Sequence, residues 1–377
     1  MEPAIQGPHA VLPDTTAEEA SRQDFVKSLK YHLASRVAPG NAGALAGSGV
    51  AARTRRDVER ALDAHPYYRF WGAMQRASQE MMWKAAQLPV ERQLETLNAR
   101  GRTQALHGSL ALDPTLQLPR YHAAVDIHCM PGGYHSEFAA DDLANGAVYD
   151  RAVYLYAMGR MGPYNSDIGD STVAFVRERF PDLAPHRILD LGCTVGHSTL
   201  PYVDAFPDAE VHGIDVGAPV LRYAHARAES LAKAVHFSQQ NAEHTRFPDA
   251  HFDLIVSHIL VHETSHGAIR RIMRECFRLL APGGVVVHAE TPPYRDLPPY
   301  DAFMLDWDTR HNNEPYWRAS HELEPAALAA EAGFDPGKAF EAMQPSAYAA
   351  AEARRTRVFQ GGDFGGGGAW YLWGARR

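Results

Sequence analysis

From about Asp170 the chain settles into a repeating rhythm of short apolar runs and amphipathic stretches. The apolar positions predict helix Ser171 to Phe180, strand Arg187 to Leu191 and helix Ser198 to Ala205. Strand Glu210 to Ile214, helix Pro219 to Ala232, and strands Val235 to Gln239 and Phe252 to Ser257 follow. Helix Gly267 to Leu280, a Pro-Gly-Gly turn and strand Val285 to Ala289 continue the series. Ala339 to Gln344 and Ala369 to Ala375 suit two further strands, joined by the glycine-rich stretch Gly361 to Gly368. Strands alternating with helices at this spacing predict an α/β fold with a doubly wound, parallel sheet. No internal repeat of fixed period is visible.

The first 140 residues follow a different pattern. Ala38 to Ala51 is rich in Gly and Ala and reads as a loop or linker. From Pro66 an aromatic and methionine stripe (Tyr67, Phe70, Trp71, Met74, Met81, Met82, Trp83) recurs at helical spacing. It fits a helix core or a dimer face better than a ligand box. Residues 86–120 read as helix and then loop. Between Val125 and Glu137, turn residues sit beside His128, Tyr134, His135 and Glu137. A lid over a site and a plain surface turn fit equally. Nothing in the spacing fixes a metal geometry for His128, His135 and Glu137.

Composition narrows the classes. The net charge of −8 and the absence of a basic run argue against a nucleic-acid partner. Cys129, Cys193 and Cys276 are odd in number and widely spaced, so neither a disulfide framework nor a cysteine zinc site is expected, and a reducing cytoplasm fits. Met1 to Pro13 has no signal-peptide pattern. Apolar runs such as Leu254 to Val261 are too short to span a bilayer.

The chemistry gathers on one turn. Ile188 to Leu191 ends in the arrangement Asp190-x-Gly192-x-x-x-Gly196, which opens the next predicted helix. Glycines there let the backbone approach a ligand, and the free amides of a helix start favour an anionic group. Ser198 and Thr199 suit capping or binding there. Asp215 ends the following strand, where a carboxylate can accept both hydroxyls of a ribose.

The segment Arg187 to Asp215 resembles motif I, and the acidic position after it, of class I S-adenosylmethionine (SAM)-dependent methyltransferases. Asn241-Ala242-Glu243, Phe247-Pro248-Asp249 with Phe252-Asp253, and Leu279 to Gly284 resemble the family's later motifs in the same order. The nearest branch is that of quinone-biosynthesis and natural-product methyltransferases. The resemblance covers about 145–377 and implies a Rossmann-like sheet, mostly parallel with an antiparallel last strand, carrying an N-terminal helical cap. It implies 141–377 as the SAM-binding domain, with a substrate-side insertion at 291–320, and 1–140 as a cap, a dimerisation region, or both. For the cofactor, it implies that Gly192 with Cys193, Thr194 and Gly196 packs on the methionine part of SAM. Asp190 would hold the amino group, Asp215 with Val216 the ribose, Asn241 and Ala242 the adenine. Tyr149 would close over the site, and Ser257 would lie at the end of strand four. Thr194 replaces the family's middle glycine, and a β-branched residue resists positive φ. The loop is therefore expected to hold Thr194 at negative φ, or to hold the methionine end differently.

Methyl transfer needs alignment of the acceptor and, for some acceptors, removal of a proton. His262 is the expected base, with Glu290 or His258 behind it. His258, His262 and His266 recur every four residues, which would also suit one face of a helix. His262-Glu263-Thr264-Ser265-His266 matches His-Glu-x-x-His literally, but it directly follows an apolar strand, so a metal site is not expected. The aromatic insertion 291–320 (Tyr294, Tyr300, Trp307, Tyr316, Trp317) fits either an acceptor wall or a packed excursion. The expected function is methyl transfer to a small organic acceptor. A SAM-binding regulatory or scaffold protein and a zinc hydrolase through His262, Glu263 and His266 are the alternatives.

Overall fold

The computed structural model describes residues 5–102, 105–348 and 368–377. The described residues form one eight-stranded sheet. Its strands are β1 (Ser109–Ala111), β2 (Arg187–Leu191), β3 (Glu210–Asp215), β4 (His236–Gln239), β5 (Phe252–His258), β6 (Leu280–Glu290), β7 (Ala339–Pro345) and β8 (Ala369–Arg376). The order is β1-β4-β3-β2-β5-β6-β8-β7. β1 to β6 pair in parallel, and β8 runs antiparallel to both β6 and β7. β2 and β5 are buried on both faces, as a parallel sheet covered by helices requires, so their centres read as consecutive apolar residues, Ile188-Leu189 and Leu254 to Val256, rather than as alternation. The strand order reverses at β2, and the crevice beyond its carboxyl end is where such sheets bind ligands.

Several expectations shift. Ala38 to Ala51 is not a loop throughout, because Gly40–Gly47 is helical. The helix expected from Ser198 begins at Leu200, where Pro201 presets helical φ in the first turn. The Pro-Gly-Gly turn is drawn into β6, because the Gly283 amide bonds the Arg377 carbonyl and the Arg377 amide bonds the Gly284 carbonyl. Residues 361–367 of the expected glycine loop lie outside the described residues.

β1 was invisible as a strand. Three residues carry too little pattern, and their pairing is set from elsewhere. The Glu229 carboxylate accepts the amides of Leu106, His107 and Gly108. A Cβ on Gly108 would fall 2.1 Å from the Val235 carbonyl oxygen, so only glycine admits the approach.

The helix Pro66–Arg92 carries the predicted stripe, started by Pro66 and capped by His65. Trp71, Met82 and Trp83 are buried, whereas Phe70 and Met81 are exposed. Met82 and Trp83 share a core with Tyr134, Val148, Val195 and Tyr223, so the amino-terminal helices pack onto the loop after β2. The insertion is tied down too: Phe303 and Trp307 pack on Tyr68 and Trp71. No described helix is long and apolar enough to cross a membrane.

Candidate active site

Two adjoining chambers open at the carboxyl ends of β2, β3 and β5. They share His128, Tyr149, Gly192, Thr194, His258 and Ile259. Asp215, Val216, Asn241 and Ala242 line the outer chamber. Asp190, Cys193, His262, Thr291 and Trp317 line the inner one.

The loop after β2 keeps a glycine-like shape despite its threonine. Thr194 adopts φ 46°, beside Gly192 at 68° and Gly196 at 76°. The expectation of negative φ is therefore overturned. The Thr194 amide donates to Asp215 Oδ2 at 3.0 Å, and the Gly217 amide donates to Oδ1 at 2.8 Å. That anchoring offsets a left-handed conformation that costs about 1–2 kcal/mol. Each Asp215 oxygen keeps a lone pair for a further donor. Burial, partly offset by those amides, raises the Asp215 pKa to about 6. A ribose diol would supply the donors that this desolvated carboxylate lacks. Gly192, at φ 68°, forms the floor of the chamber in a conformation that favours glycine, and a Cβ there would also displace the Leu260 side chain. These features fit the nucleoside end of SAM. Asn241 Oδ1 accepts the Glu243 amide, which fixes its side chain on the chamber wall.

Other expected cofactor residues are placed differently. Ser257 lines neither chamber; its hydroxyl bonds His288 Nδ1 at 2.7 Å inside the sheet core. Its side chain shares a face of the sheet with His288, its register partner on β6. Gly196 turns the loop without lining a chamber. Asp190 Oδ2 accepts from the Thr199 hydroxyl at 2.6 Å, and Oδ1 lies 3.1 Å from His258 Nδ1. Thr199 thus binds Asp190 rather than capping its helix. His258 Nε2 meets the Tyr202 hydroxyl at 3.1 Å, so both its nitrogens are engaged.

His262 pairs through Nδ1 with Glu290 Oε2 at 2.8 Å, while its buried Nε2 has no partner. Burial pulls the His262 pKa down, but the charge and hydrogen bond of Glu290, together with the charges of Glu314 and Glu263, outweigh it and hold the ring above its ordinary range. The four-residue spacing of the histidines does not make a helix face. His258 ends β5, His262 sits in the short turn Val261–Glu263, and exposed His266 starts the helix His266–Leu279. His-Glu-x-x-His thus lacks the continuous helix that presents both histidines of a metalloprotease to one ion, which removes the hydrolase reading.

The amino-terminal segments roof both chambers. Tyr149 stacks on His197 and meets Tyr134 edge-on. The Tyr134 hydroxyl donates to Glu263 Oε1 at 2.7 Å, and His128 Nε2 lies 3.0 Å from the same oxygen. Glu314 of the insertion, fully buried, pairs with His128 Nδ1. His128 sits at φ 55°, its carbonyl held by Trp83 Nε1 at 2.7 Å and Gln79 Nε2 at 3.1 Å. Strain of this kind collects at functional sites when the surroundings enforce it. His128, His135 and Glu137 do not converge, since His135 packs on His122 and Glu137 pairs with Arg222. Of the insertion's predicted aromatics, Trp317 reaches the inner chamber, while Tyr294 hydrogen-bonds Asp306 and Trp307 packs on Trp71. His197 and Glu314 had no sequence signal, because each is brought in by a distant partner: Asp150 for His197, and His128 for Glu314.

Known proteins resemble this chain chiefly over the central strands of the sheet. Residues 188–284 match the methyltransferase-domain family model. A demethylmenaquinone methyltransferase of Thermus thermophilus is 37% identical over 133 residues, covering 34% of this chain and 58% of that protein. A trans-aconitate 2-methyltransferase of Methylobacterium radiotolerans is 38% identical over 108 residues, covering 29% of this chain and 39% of that protein. The chain therefore spans 58% and 39% of the length of these two curated relatives. Among solved structures, SAM-bound CalS10, an amino pentose methyltransferase from Micromonospora echinaspora, overlaps 36% of this chain and 55% of that one. Its identity is 25% and its TM-score 0.31.

Proposed function

We propose that this chain, which belongs to the class I SAM-dependent methyltransferases, methylates a hydroxyl oxygen of a small organic acceptor held in the inner chamber. The observation that carries this reading is the unpartnered, buried Nε2 of His262, a residue that lines the chamber adjoining the Asp215 pocket. When bound, SAM supplies a methyl group on a cationic sulfur, and the methyl–sulfur electron pair leaves with that sulfur. The protein's part is to seat the donor, align the acceptor and take its proton.

Asp215 and the amides around it orient the nucleoside, and the loop at Gly192 and Thr194 directs the donor toward the shared wall. Glu290 fixes the His262 ring through Nδ1, which leaves Nε2 to face the acceptor hydroxyl. As the oxygen lone pair forms the bond to the methyl carbon, the hydroxyl proton passes to Nε2. The apolar inner wall, with Met82, Trp83 and Trp317, suits a ring or chain on the acceptor and excludes water. The positive φ of Thr194 preserves the loop shape, so the substitution itself gives no reason to favour a regulatory, non-catalytic role. The amino-terminal residues close the site through Tyr134 and Tyr149.

Calorimetric titration of SAM into wild type and Asp215→Ala tests the donor site. The expected result is micromolar binding, weakened tenfold or more by the substitution, about 1.4 kcal/mol. Formation of S-adenosylhomocysteine with a panel of hydroxylated acceptors tests turnover. No SAM binding by the wild type, or SAM binding with methylation confined to nitrogen acceptors, would overturn the reading.

A further inference from the structure

We propose that His128, His262 and Glu263 hold a divalent transition-metal cation at the junction of the two chambers, where it binds the acceptor hydroxyl. One ligand atom from each of the three lies within 4.8 Å of the others. Ligands about 2 Å from a shared zinc ion sit roughly 3.4 Å apart in a tetrahedral site, so modest side-chain rotations close the cluster.

The surroundings of the two histidines carry the inference further than proximity does. A metal-bound histidine almost always gives its second ring nitrogen to a carboxylate, a carbonyl or water, which fixes the tautomer and aims the free nitrogen at the ion. Both rings here have that arrangement. His262 Nδ1 lies 2.8 Å from Glu290, and His128 Nδ1 pairs with Glu314. That leaves the two Nε2 atoms and the Glu263 carboxylate to face one another. His262 Nε2 is fully buried without a hydrogen-bond partner.

Charge points the same way. Glu263, Glu290 and Glu314 form their ion pairs with His128 and His262. Three carboxylates converge on two imidazoles, so the pocket calls for positive charge. Protonated rings carry it in the metal-free protein, and a divalent cation would take that place. Two imidazoles and one carboxylate with open positions suit zinc, iron(II) or manganese rather than magnesium or calcium. His128 Nε2 and Glu263 Oε1, 3.0 Å apart, hold a proton between them that a cation would displace. The literal His-Glu-x-x-His contributes two of these ligands, but the third is His128, from a segment far away in sequence, and not the exposed His266.

This inference rests on the methyl-transfer reading only for its consequence: in the metal-loaded protein Nε2 of His262 would be a ligand and no longer the proton acceptor, and the cation would acidify the acceptor hydroxyl, whose proton would leave to water. The test is metal binding itself. Full-length protein stripped with chelator is titrated with Zn²⁺ and Co²⁺, read by equilibrium dialysis and cobalt d–d absorption, with SAM affinity measured on the same samples. The expected result is one equivalent bound by wild type and by His266→Ala. Binding falls at least a hundredfold in His128→Ala, and tenfold or more in Glu314→Gln. Glu263→Gln, nearly isosteric, serves if His128→Ala does not fold, and should also lose the ion. No stoichiometric binding by wild type overturns the cation site, as does binding that survives Glu263→Gln or depends on His266. SAM bound without metal sinks this inference and leaves the methyltransferase reading standing, while metal bound without SAM does the reverse.

Discussion

The two chambers differ in how the chain builds them. The outer chamber draws Gly192, Thr194, Asp215, Asn241 and Ala242 from successive turns of one βαβ series. Each sits at a strand end, placed by the sheet register: Asp190 opposite Gly213, and Asp215 opposite Gln239. The acceptor side of the inner chamber draws His128 from the amino-terminal roof, His262 from the turn after β5 and Trp317 from the insertion. No single register places those three. They depend on long-range contacts such as Trp83 with the His128 carbonyl and Glu314 with the His128 ring. Donor recognition can therefore persist while the acceptor side is rebuilt, because Asp215, Asn241 and Ala242 are set at strand ends by the sheet, although Tyr121, Tyr134 and His128 roof the outer chamber as well.

Separate loss of the two functions is the sharpest way to break that comparison. His262→Ala should lower kcat by about a hundredfold or more, the lower end of what a positioned proton acceptor supplies. The Kd for SAM should stay within about twofold, since tenfold is already 1.4 kcal/mol. Steady-state kinetics beside SAM titration reads both. If SAM affinity collapses with the rate, the two chambers are one cooperative unit and the distinction fails.

That difference also explains what the sequence made legible. The Asp190-to-Gly196 turn, Asp215 and the alternating strands were readable, because local pattern and strand periodicity determine them. His128 was visible only as one histidine in a turn-rich stretch. Glu314 was one acid in an aromatic insertion, and nothing local joins the two. Ser257, expected at the cofactor, lies apart from both chambers for a subtler reason. It sits at the end of the correct strand, but its side chain falls on the face that meets His288. Ser257→Ala should accordingly leave SAM affinity unchanged and lower stability by about 1–2 kcal/mol, since the buried His288 nitrogen loses its partner. Denaturant midpoints beside SAM titration check it, and a large loss of SAM affinity would return Ser257 to the site.

Acidity probes the outer chamber alone. Asp215 titrates at about 6 in the ligand-free protein because burial disfavours its charge. A protonated carboxyl gives up acceptor capacity that a ribose diol needs. Below pH 6, SAM affinity should fall by up to tenfold per pH unit, and above pH 7 it should be flat. For stability the sign is opposite to that of a salt-bridged acid. The native pKa lies above the ordinary value of 3.8, so this group's contribution is most favourable below that value and is lost as pH rises toward 6. Adding SAM should offset the loss. A SAM affinity that does not change between pH 5 and 7 would mean that Asp215 is ionised throughout or does not touch the donor.

The smallest effect concerns the residue on which the two chambers meet. Thr194 holds φ 46° with a β-branched side chain, a conformation that costs an L-residue about 1–2 kcal/mol. Thr194→Gly removes that cost, but the added freedom of the unfolded chain takes back about 0.5–1 kcal/mol. Its hydroxyl lies 3.4 Å from the Gly192 carbonyl, too long to matter much, and also meets the Tyr149 hydroxyl, a contact that glycine would give up. The amide bond to Asp215 survives, because glycine adopts the same φ and keeps its N–H. The net expectation is a gain of about 0.5–1 kcal/mol by denaturant titration, with SAM affinity unchanged. A loss of stability would show that the threonine methyl or hydroxyl makes contacts worth more than the strain. Unchanged stability with weaker SAM binding would show instead that the stiffness of Thr194 preorganises the loop, and the strain would then belong to donor recognition rather than oppose it.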